Sequence, residues 1–449
     1  MPLIAVPLDL PPHVVELRAG DVDGDGVSEL IAVERKKNGT RPDTVAVSAH
    51  WFGADGSLQN QWRVDLNNQP LVIDIEHGIW AVGSNGIVSI NQSGVEPVVT
   101  VPSPLANLGP TTPVFADLLD DLEGDGVPEA VVASGSRVRV VSVTGEERLN
   151  VPARSRGELE VRMRGGTQLV SAAVSPTWQL DDFNGDGFRD LLLASGKRLT
   201  VYPMTSEGVG PAQTVPLPID VTPRRRDGME KKNQTRKRVV SVWFQDLDGD
   251  SRTDFAAQLW VTEGSWMGAE GELVFAKGTG QGFGPLQRMR SDSAVLLVRL
   301  IDTDGDGDTE LVSAEVDFGV GNLTRAMLTQ KIKVDVLYRE MANGRYLEAR
   351  PFHSVVVPVG NDRDPSVELE QDLTGDGVPD LVTSQGSEAV QLFQGTGSGF
   401  ADSPTASLDV GFNQDHHKLW VGDVTGDGRA EIVMWRKKHA SATLLMHRP

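Results

Sequence analysis

Apolar residues occur along this chain in short runs bounded by turn residues. Leu30-Ile31-Ala32-Val33, Ala130-Val131-Val132-Ala133, Leu191-Leu192-Leu193-Ala194, Leu381-Val382-Thr383 and Ile432-Val433-Met434-Trp435 are the clearest. Apolar runs of that length suit strands buried on both faces. Each follows an Asp/Gly-rich segment, and a second kind of run, such as Val239-Val240-Ser241-Val242-Trp243-Phe244 or Leu419-Trp420-Val421, precedes one. Residues 44–52 and 58–64 then read as a third and a fourth strand. Four strands per unit of roughly 56 residues is the size of a β-propeller blade. The 48 glycines and 26 prolines suit short strands joined by tight turns.

The Asp/Gly-rich segments are seven copies of one nonapeptide: DVDGDGVSE from Asp21, DLEGDGVPE from Asp121, DFNGDGFRD from Asp182, DLDGDSRTD from Asp246, DTDGDGDTE from Asp302, DLTGDGVPD from Asp372 and DVTGDGRAE from Asp423. Only 63 of 449 residues are acidic, yet the first, fifth and ninth positions are acidic in every copy. A hard cation such as Ca²⁺ takes six to eight oxygens at roughly 2.3–2.6 Å, and alternating loop positions can converge on it. Positions 1, 3 and 5 offer side-chain oxygens, position 7 a backbone carbonyl, and position 9 a closing acid. Glycines at positions 4 and 6 permit the tight curl.

The candidate ligands, in that order, are Asp21, Asp23, Asp25, Val27 and Glu29; Asp121, Glu123, Asp125, Val127 and Glu129; Asp182, Asn184, Asp186, Phe188 and Asp190; and Asp246, Asp248, Asp250, Arg252 and Asp254. The last three loops offer Asp302, Asp304, Asp306, Asp308 and Glu310; Asp372, Thr374, Asp376, Val378 and Asp380; and Asp423, Thr425, Asp427, Arg429 and Glu431. An EF-hand closes with an acid at position 12 between helices. Here the acid comes at position 9 and the flanks are strands.

On this signature the chain resembles the FG-GAP or VCBS repeat family, whose members include the integrin α-subunit head propellers. The resemblance covers nearly the whole chain. It implies an all-β propeller with a calcium ion in each such loop, about seven in all, between the first and second strands of a blade. It does not imply one activity, because relatives include adhesion receptors, lectin-like proteins and a few polysaccharide lyases. Glu123, Asn184, Thr374 and Thr425 depart from Asp at the third position, and Ser251 from glycine at the sixth.

Motif starts differ by 100, 61, 64, 56, 70 and 51 residues. The first gap is too long by one blade, and residues 70–75, 79–83, 86–91 and 95–101 read as four strands whose first turn has lost the loop. The count is therefore eight blades in one domain, at roughly 12–64, 70–102, 113–152, 175–218, 239–290, 294–358, 366–410 and 416–449. Residues 3–8 would supply the outer strand of the last blade and close the ring. The alternative is seven blades, with residues 65–110 as an elaboration.

Calcium would be structural, because seven divalent ions add +14 to a formal charge of -21 and leave -7, relieving repulsion among clustered carboxylates. The acidic balance argues against nucleic acid as a partner. The lack of cysteine excludes disulfides and thiolate chemistry. No run is long enough for a transmembrane helix, and MPLIAVPLDLPP has neither a basic n-region nor a long apolar stretch, so no signal peptide is read there. The expected setting is secreted or cell-surface, in an adhesion role.

No catalytic constellation stands out. Residues 224–238, RRRDGMEKKNQTRKR, carry eight basic and two acidic side chains, and Arg224, Arg225 and Arg226 open this segment. Residues 262–270 present Trp266 and Met267, and residues 317–330 form a longer connection in the next blade. Antiparallel strands place all three insertions on the face opposite the acidic loops. They make a protein or glycan ligand the expected partner, with a lyase-like enzyme or a structural part of a cell-envelope assembly as alternatives.

Overall fold

Each apolar run becomes a strand in the computed structural model, which describes residues 3–8, 10–36, 38, 43–66, 71–75, 78–103, 113–115, 119–122, 127–134, 137–152, 156–162, 168–174, 177–222, 235–263, 269–317, 319–329, 331–358, 367–384, 389–396, 399–409, 417–436 and 441–447. Eight antiparallel sheets form the blades of a β-propeller. Blade 1 comprises Val14–Gly20, Glu29–Lys36, Thr44–Phe52 and Leu58–Asp65. Blade 2 comprises Val72–Ile75, Ile79–Gly83, Gly86–Asn91 and Gly94–Thr100, so the long first gap does hold a blade. Blade 3 has Leu119–Asp120, Glu129–Ser134, Arg137–Ser142 and Glu147–Pro152, and blade 4 has Thr177–Asp181, Asp190–Ser195, Arg198–Tyr202 and Gln213–Pro216. Blade 5 has Thr235–Gln245, Asp254–Glu263, Ala269–Ala276 and Gln287–Ser291. Blade 6 has Ala294–Ile301, Glu310–Val316, Lys331–Arg339 and Arg350–Pro358, and blade 7 has Val367–Gln371, Asp380–Ser384, Ala389–Phe393 and Ala406–Asp409. Blade 8 has His417–Gly422, Glu431–Arg436 and Ser441–His447, with Leu3–Leu8 in its fourth place, Leu3 opposite His447 and Leu8 opposite Ala442.

The continuous apolar pattern of the second strands has a direct cause. Alternate residues of a strand point to opposite faces, and each face meets a different neighbouring blade. Leu30 and Ala32 pack with Val433, Trp435 and Leu444 of blade 8, whereas Ile31 and Val33 pack with Ile73, Ile75 and Ala81 of blade 2. Leu191 and Leu193 join a cluster shared with blade 3, and Leu192 and Ala194 one shared with blade 5. Ile432 and Met434 likewise face blade 7 while Val433 and Trp435 face blade 1. Each such side chain is worth about 1.5–3 kcal/mol of burial. Apolar clusters thus join every consecutive pair of blades, including the last to the first.

Three features depart from the expected strand pattern. Val114–Phe115 pairs in parallel with Val72 and Ile73, giving blade 2 a fifth strand from residues expected in blade 3. Arg156–Arg162 and Gln168–Val174 form a separate hairpin between blades 3 and 4, in a stretch read as unassigned although Gly165-Gly166 sits between two alternating runs. The long connection of blade 6 contains a helix, Val320–Thr329, where only a hairpin was expected. Asp317 shapes the turn that leads into it: its Oδ1 accepts the Gly319 N–H at 2.7 Å and its Oδ2 accepts from the Asn322 side-chain Nδ2 at 2.7 Å. Leu323, Arg325, Ala326, Met327 and Leu328 then favour a helix.

Candidate metal centres

All seven acidic loops connect the first and second strands of their blades, as their sequence placement predicts. The first aspartate organises the curl by accepting backbone N–H groups. Asp21 takes Gly24 and Gly26 at 2.7 and 2.9 Å, Asp182 takes Gly185 and Gly187 at 2.7 Å each, and Asp302 takes Gly305 and Gly307 at 2.7 and 3.1 Å. Asp372 and Asp423 repeat the pair of bonds. These glycines lie in the left-handed region, Gly24 at φ 78° and Gly26 at φ 88°, where a Cβ is disfavoured. Ser251 nonetheless holds the sixth position of its loop at φ 64° and donates its N–H to Asp246 Oδ2 at 2.7 Å. That strain is of the order of 1–3 kcal/mol.

The fifth position accepts the seventh N–H, as in Val27 to Asp25 at 2.8 Å and Asp308 to Asp306 at 3.0 Å. The ninth acid is buried in every loop and accepts the N–H of the second position. The bond runs from Val22 to Glu29 at 2.8 Å, Leu122 to Glu129 at 3.1 Å, Phe183 to Asp190 at 3.2 Å and Leu247 to Asp254 at 3.1 Å. It runs from Thr303 to Glu310 at 2.7 Å, Leu373 to Asp380 at 2.8 Å and Val424 to Glu431 at 2.9 Å.

Side-chain length splits this position. Where it is aspartate, the second oxygen binds the turn after the third strand: Asp190 accepts from Met204, Asp254 from Gly278 and Asp380 from Gly395. Glutamate is one methylene longer, and in blades 1 and 8 it joins the loop's acidic trio, although Glu310 of blade 6 is not in its loop's trio. Asp21, Asp23 and Glu29 bring one oxygen each within 4.8 Å of one another, as do Asp423, Asp427 and Glu431. In blades 5 and 6 the corresponding groups are Asp246, Asp248 and Asp250, and Asp302, Asp304 and Asp306. A count of acids that treats the ninth position alike in every loop misses this split. Among the described residues, the loops from Asp182 and Asp372 bring no such trio of carboxylates together; their third positions are Asn184 and Thr374. Glu123 and Asp125 lie outside the described residues, as do Arg224, Arg225, Arg226, Trp266 and Met267.

Crowding raises the acids' proton affinity. Burial pushes Glu29 up to about 7 against the pull of the Val22 N–H, with Asp23, Asp25 and Asp21 adding repulsion. Burial likewise lifts Asp190, Asp254 and Glu431 to about 7, each opposed by backbone N–H groups. Asp308 rises to about 7 through burial and its neighbours Asp306 and Glu310. Asp376 moves the other way, held below the usual range first by its hydrogen bond from Gln394.

These loops suit a hard divalent cation: their side-chain donors are oxygens. Three buried oxygens, Glu29 Oε1, Asp248 Oδ1 and Asp308 Oδ1, have no hydrogen-bond partner. Such oxygens are costly unless something positive meets them.

Neighbouring loops also touch. Ser28 donates its N–H to the Asp423 carbonyl at 2.6 Å, Thr253 to that of Asp182 at 3.0 Å and Thr309 to that of Leu247 at 2.8 Å. A Cβ on Gly249 would lie 2.7 Å from the Gly307 carbonyl oxygen, so the loops of blades 5 and 6 meet backbone to backbone.

The sequence model of the FG-GAP-like repeat matches residues 372–434, which run from the acidic loop of blade 7 through the acidic loop of blade 8 into that blade's second strand. That match and the eight-bladed fold support a propeller of the FG-GAP type. No curated protein matches it. Solved structures similar to this FG-GAP propeller include the V. cholerae biofilm matrix protein Bap1, at 13% identity over 100% of this chain and 88% of that one, TM-score 0.28. A Photorhabdus luminescens Tc holotoxin pore is 12% identical over 98% of this chain and 27% of its own, TM-score 0.23. The Dos1 propeller is 10% identical over 89% of each chain, TM-score 0.32. At these scores the three carry no argument about function.

Proposed function

We propose that this propeller is a calcium-stabilised recognition scaffold, not an enzyme, that binds a protein or glycan through the ends of its blades remote from the acidic loops. Its setting would be extracellular or on the cell envelope. Calcium would occupy the first-to-second-strand loops, held by the side-chain oxygens and the seventh-position carbonyls named above. No helix among the described residues is long and apolar enough to cross a membrane.

One observation carries the choice of face. Val240 and Leu296 are 45% and 48% exposed, and each sits at a register shift in the first strand of its blade, six residues before the loop's first aspartate. They lie on adjacent blades. Leu328, on the helix in the second-to-third-strand connection of blade 6, is 80% exposed. By strand order that connection also leaves the end opposite the acidic loops. Exposed apolar side chains, together with the basic run 224–238 of the sequence, suit a partner that is part apolar and part acidic.

The test is a panel of immobilised acidic and neutral glycans probed with wild type, with Leu296→Ser/Leu328→Ser, and with Arg224, Arg225 and Arg226 changed to Glu. Binding should fall in both variants, and the charge reversal should flatten its salt dependence. Undiminished binding by both variants would move recognition to another face. Appearance of an unsaturated, ultraviolet-absorbing product would make the chain a lyase instead.

A further inference from the structure

Third-strand register gives one loop a feature that its nonapeptide does not reveal. In blade 5, Phe255 pairs with Ala276, and Lys277 follows at the level of the ninth acid, Asp254. The equivalent place is Trp51, Ser142, Pro203, Glu340, Gln394 and Met446 in the other loop-bearing blades. Lys277 is the cation of the set. Its ammonium donates to Asp248 Oδ2 and lies 3.0 Å from Asp250 Oδ2, the third and fifth positions of the loop. The Asp248 side chain is 2% exposed, so the ammonium is set against a carboxylate that water barely reaches.

We infer that Lys277 is the resident cation of the blade 5 loop, standing where calcium is proposed to bind in the others; the inference rests on that calcium reading. A divalent ion in this loop would need the same two carboxylates at positions 3 and 5, and would sit within a few ångströms of a fixed positive charge. Two further contacts hold the pair in place. A Cβ on Gly344, in a turn of blade 6, would lie 2.9 Å from Asp248 Oδ2 and 3.3 Å from Lys277 Cδ, so that turn packs directly over them. The Asp254 carboxylate ties the turn that carries Lys277, through the Gly278 N–H, to the base of the acidic loop. Blade 7 is the natural contrast. The matching residue in QGTGSGF, against KGTGQGF in blade 5, is Gln394, which donates from Nε2 to Asp376 Oδ2 at 2.7 Å and brings no charge. A lysine 29 residues beyond Asp248 thus replaces a metal with a side chain, and blade 5 is set up to hold its loop when calcium falls.

The experiment counts calcium bound per chain, by equilibrium dialysis, in wild type, Lys277→Gln and Lys277→Arg. Lys277→Gln should bind one more calcium than wild type, and Lys277→Arg, which keeps the charge, should match wild type. In excess chelator, amide exchange in Asp254–Glu263 should stay slow in wild type and become calcium-dependent in Lys277→Gln. Equal calcium counts in wild type and Lys277→Gln would overturn the inference, since Asp248 Oδ1 lacks a hydrogen-bond partner and an ion able to displace the ammonium would find it. Wild type that binds no calcium at all would instead defeat the calcium reading on which the inference stands.

Discussion

Blades 2 and 6 reach the same four-strand plan by opposite chemistry. In blade 2 the first strand ends at Ile75 and the second begins at Ile79, with no acidic loop between them. Leu71, Ile73, Ile79 and Ala81 are all buried, and the buried Asp74 carboxylate accepts the Ile75 and Leu119 N–H groups at 2.7 Å each. Blade 6 places five acids in nine residues, from Asp302 to Glu310, with Glu310 only 1% exposed. Both sheets form. The acidic loop is therefore not what makes a blade; strand pairing and inter-blade packing are. What the loop adds is a condition, because crowded, buried carboxylates oppose folding until a cation meets them.

The largest test of this contrast is calcium removal. An ion that binds only the folded chain stabilises it by about 4 kcal/mol per site at a thousandfold excess over Kd, so excess chelator should lower the melting temperature far beyond any salt effect. Amide exchange should then separate the two blades: Glu310–Val316 should lose protection first, and Ile79–Gly83 last. Equal loss in both would break the comparison, and an unchanged melting curve would remove calcium from the account.

Most of this architecture is legible in the sequence. Acids and glycines at fixed spacing mark the loops because the curl and the charge both depend on residue type at single positions. Blade 2 is legible without its loop because its strands keep their lengths and turns. Lys277 is not, because its importance arises from register across the third strand and not from anything near Asp248 in the chain. The partners of the ninth acid are equally hidden: the aspartates tie their second oxygen to the turn behind the loop, while Glu29 and Glu431 join their loops' acidic trios. The helix Val320–Thr329 was missed because Gly319, Gly321 and Asn322 read as turn residues, and the Asp317 contacts to Gly319 and Asn322 that lead into it are not visible in the sequence.

A smaller effect concerns protons. Without calcium, Glu29, Asp190, Asp254, Asp308 and Glu431 titrate near 7 in the folded chain, above the ordinary carboxylate range. Their folded values are raised, so the folded state holds protons more tightly than the unfolded one. Metal-free stability should then rise as pH falls from about 8 through about 7 and level off near the unfolded carboxylate range of about 4. With saturating calcium that slope should flatten over the same window, because a bound ion keeps the acids of the loops it occupies deprotonated; calcium-loaded stability should fall only nearer the unfolded carboxylate range of about 4. Melting curves at pH 8 and 6, with calcium and with chelator, read both slopes. Parallel slopes would mean that the raised acids are not the groups calcium meets.

The smallest and sharpest test removes one charge from blade 6. Glu310 Oε2 accepts both the N–H of Thr303, at 2.7 Å, and its hydroxyl, at 2.6 Å. Burial raises its proton affinity, and Asp304 adds repulsion. Glu310→Gln keeps the shape and one acceptor oxygen, so the Thr303 contacts can persist while the charge goes. In chelator that change should stabilise the chain, since it deletes a buried carboxylate repelled by its neighbours. In calcium it should destabilise by roughly 1–3 kcal/mol, the usual cost of losing a hydrogen-bonded buried charge that has a partner. Asp74→Asn in blade 2 serves as the control: Asp74 is not one of the nonapeptide acids, and its effect should have one sign in both conditions. The informative result is the crossing. If Glu310→Gln shifts stability in the same direction with and without calcium, the ninth acid of blade 6 is a packing and hydrogen-bonding residue, and the loop's dependence on a cation must come from Asp302, Asp304 and Asp306 alone.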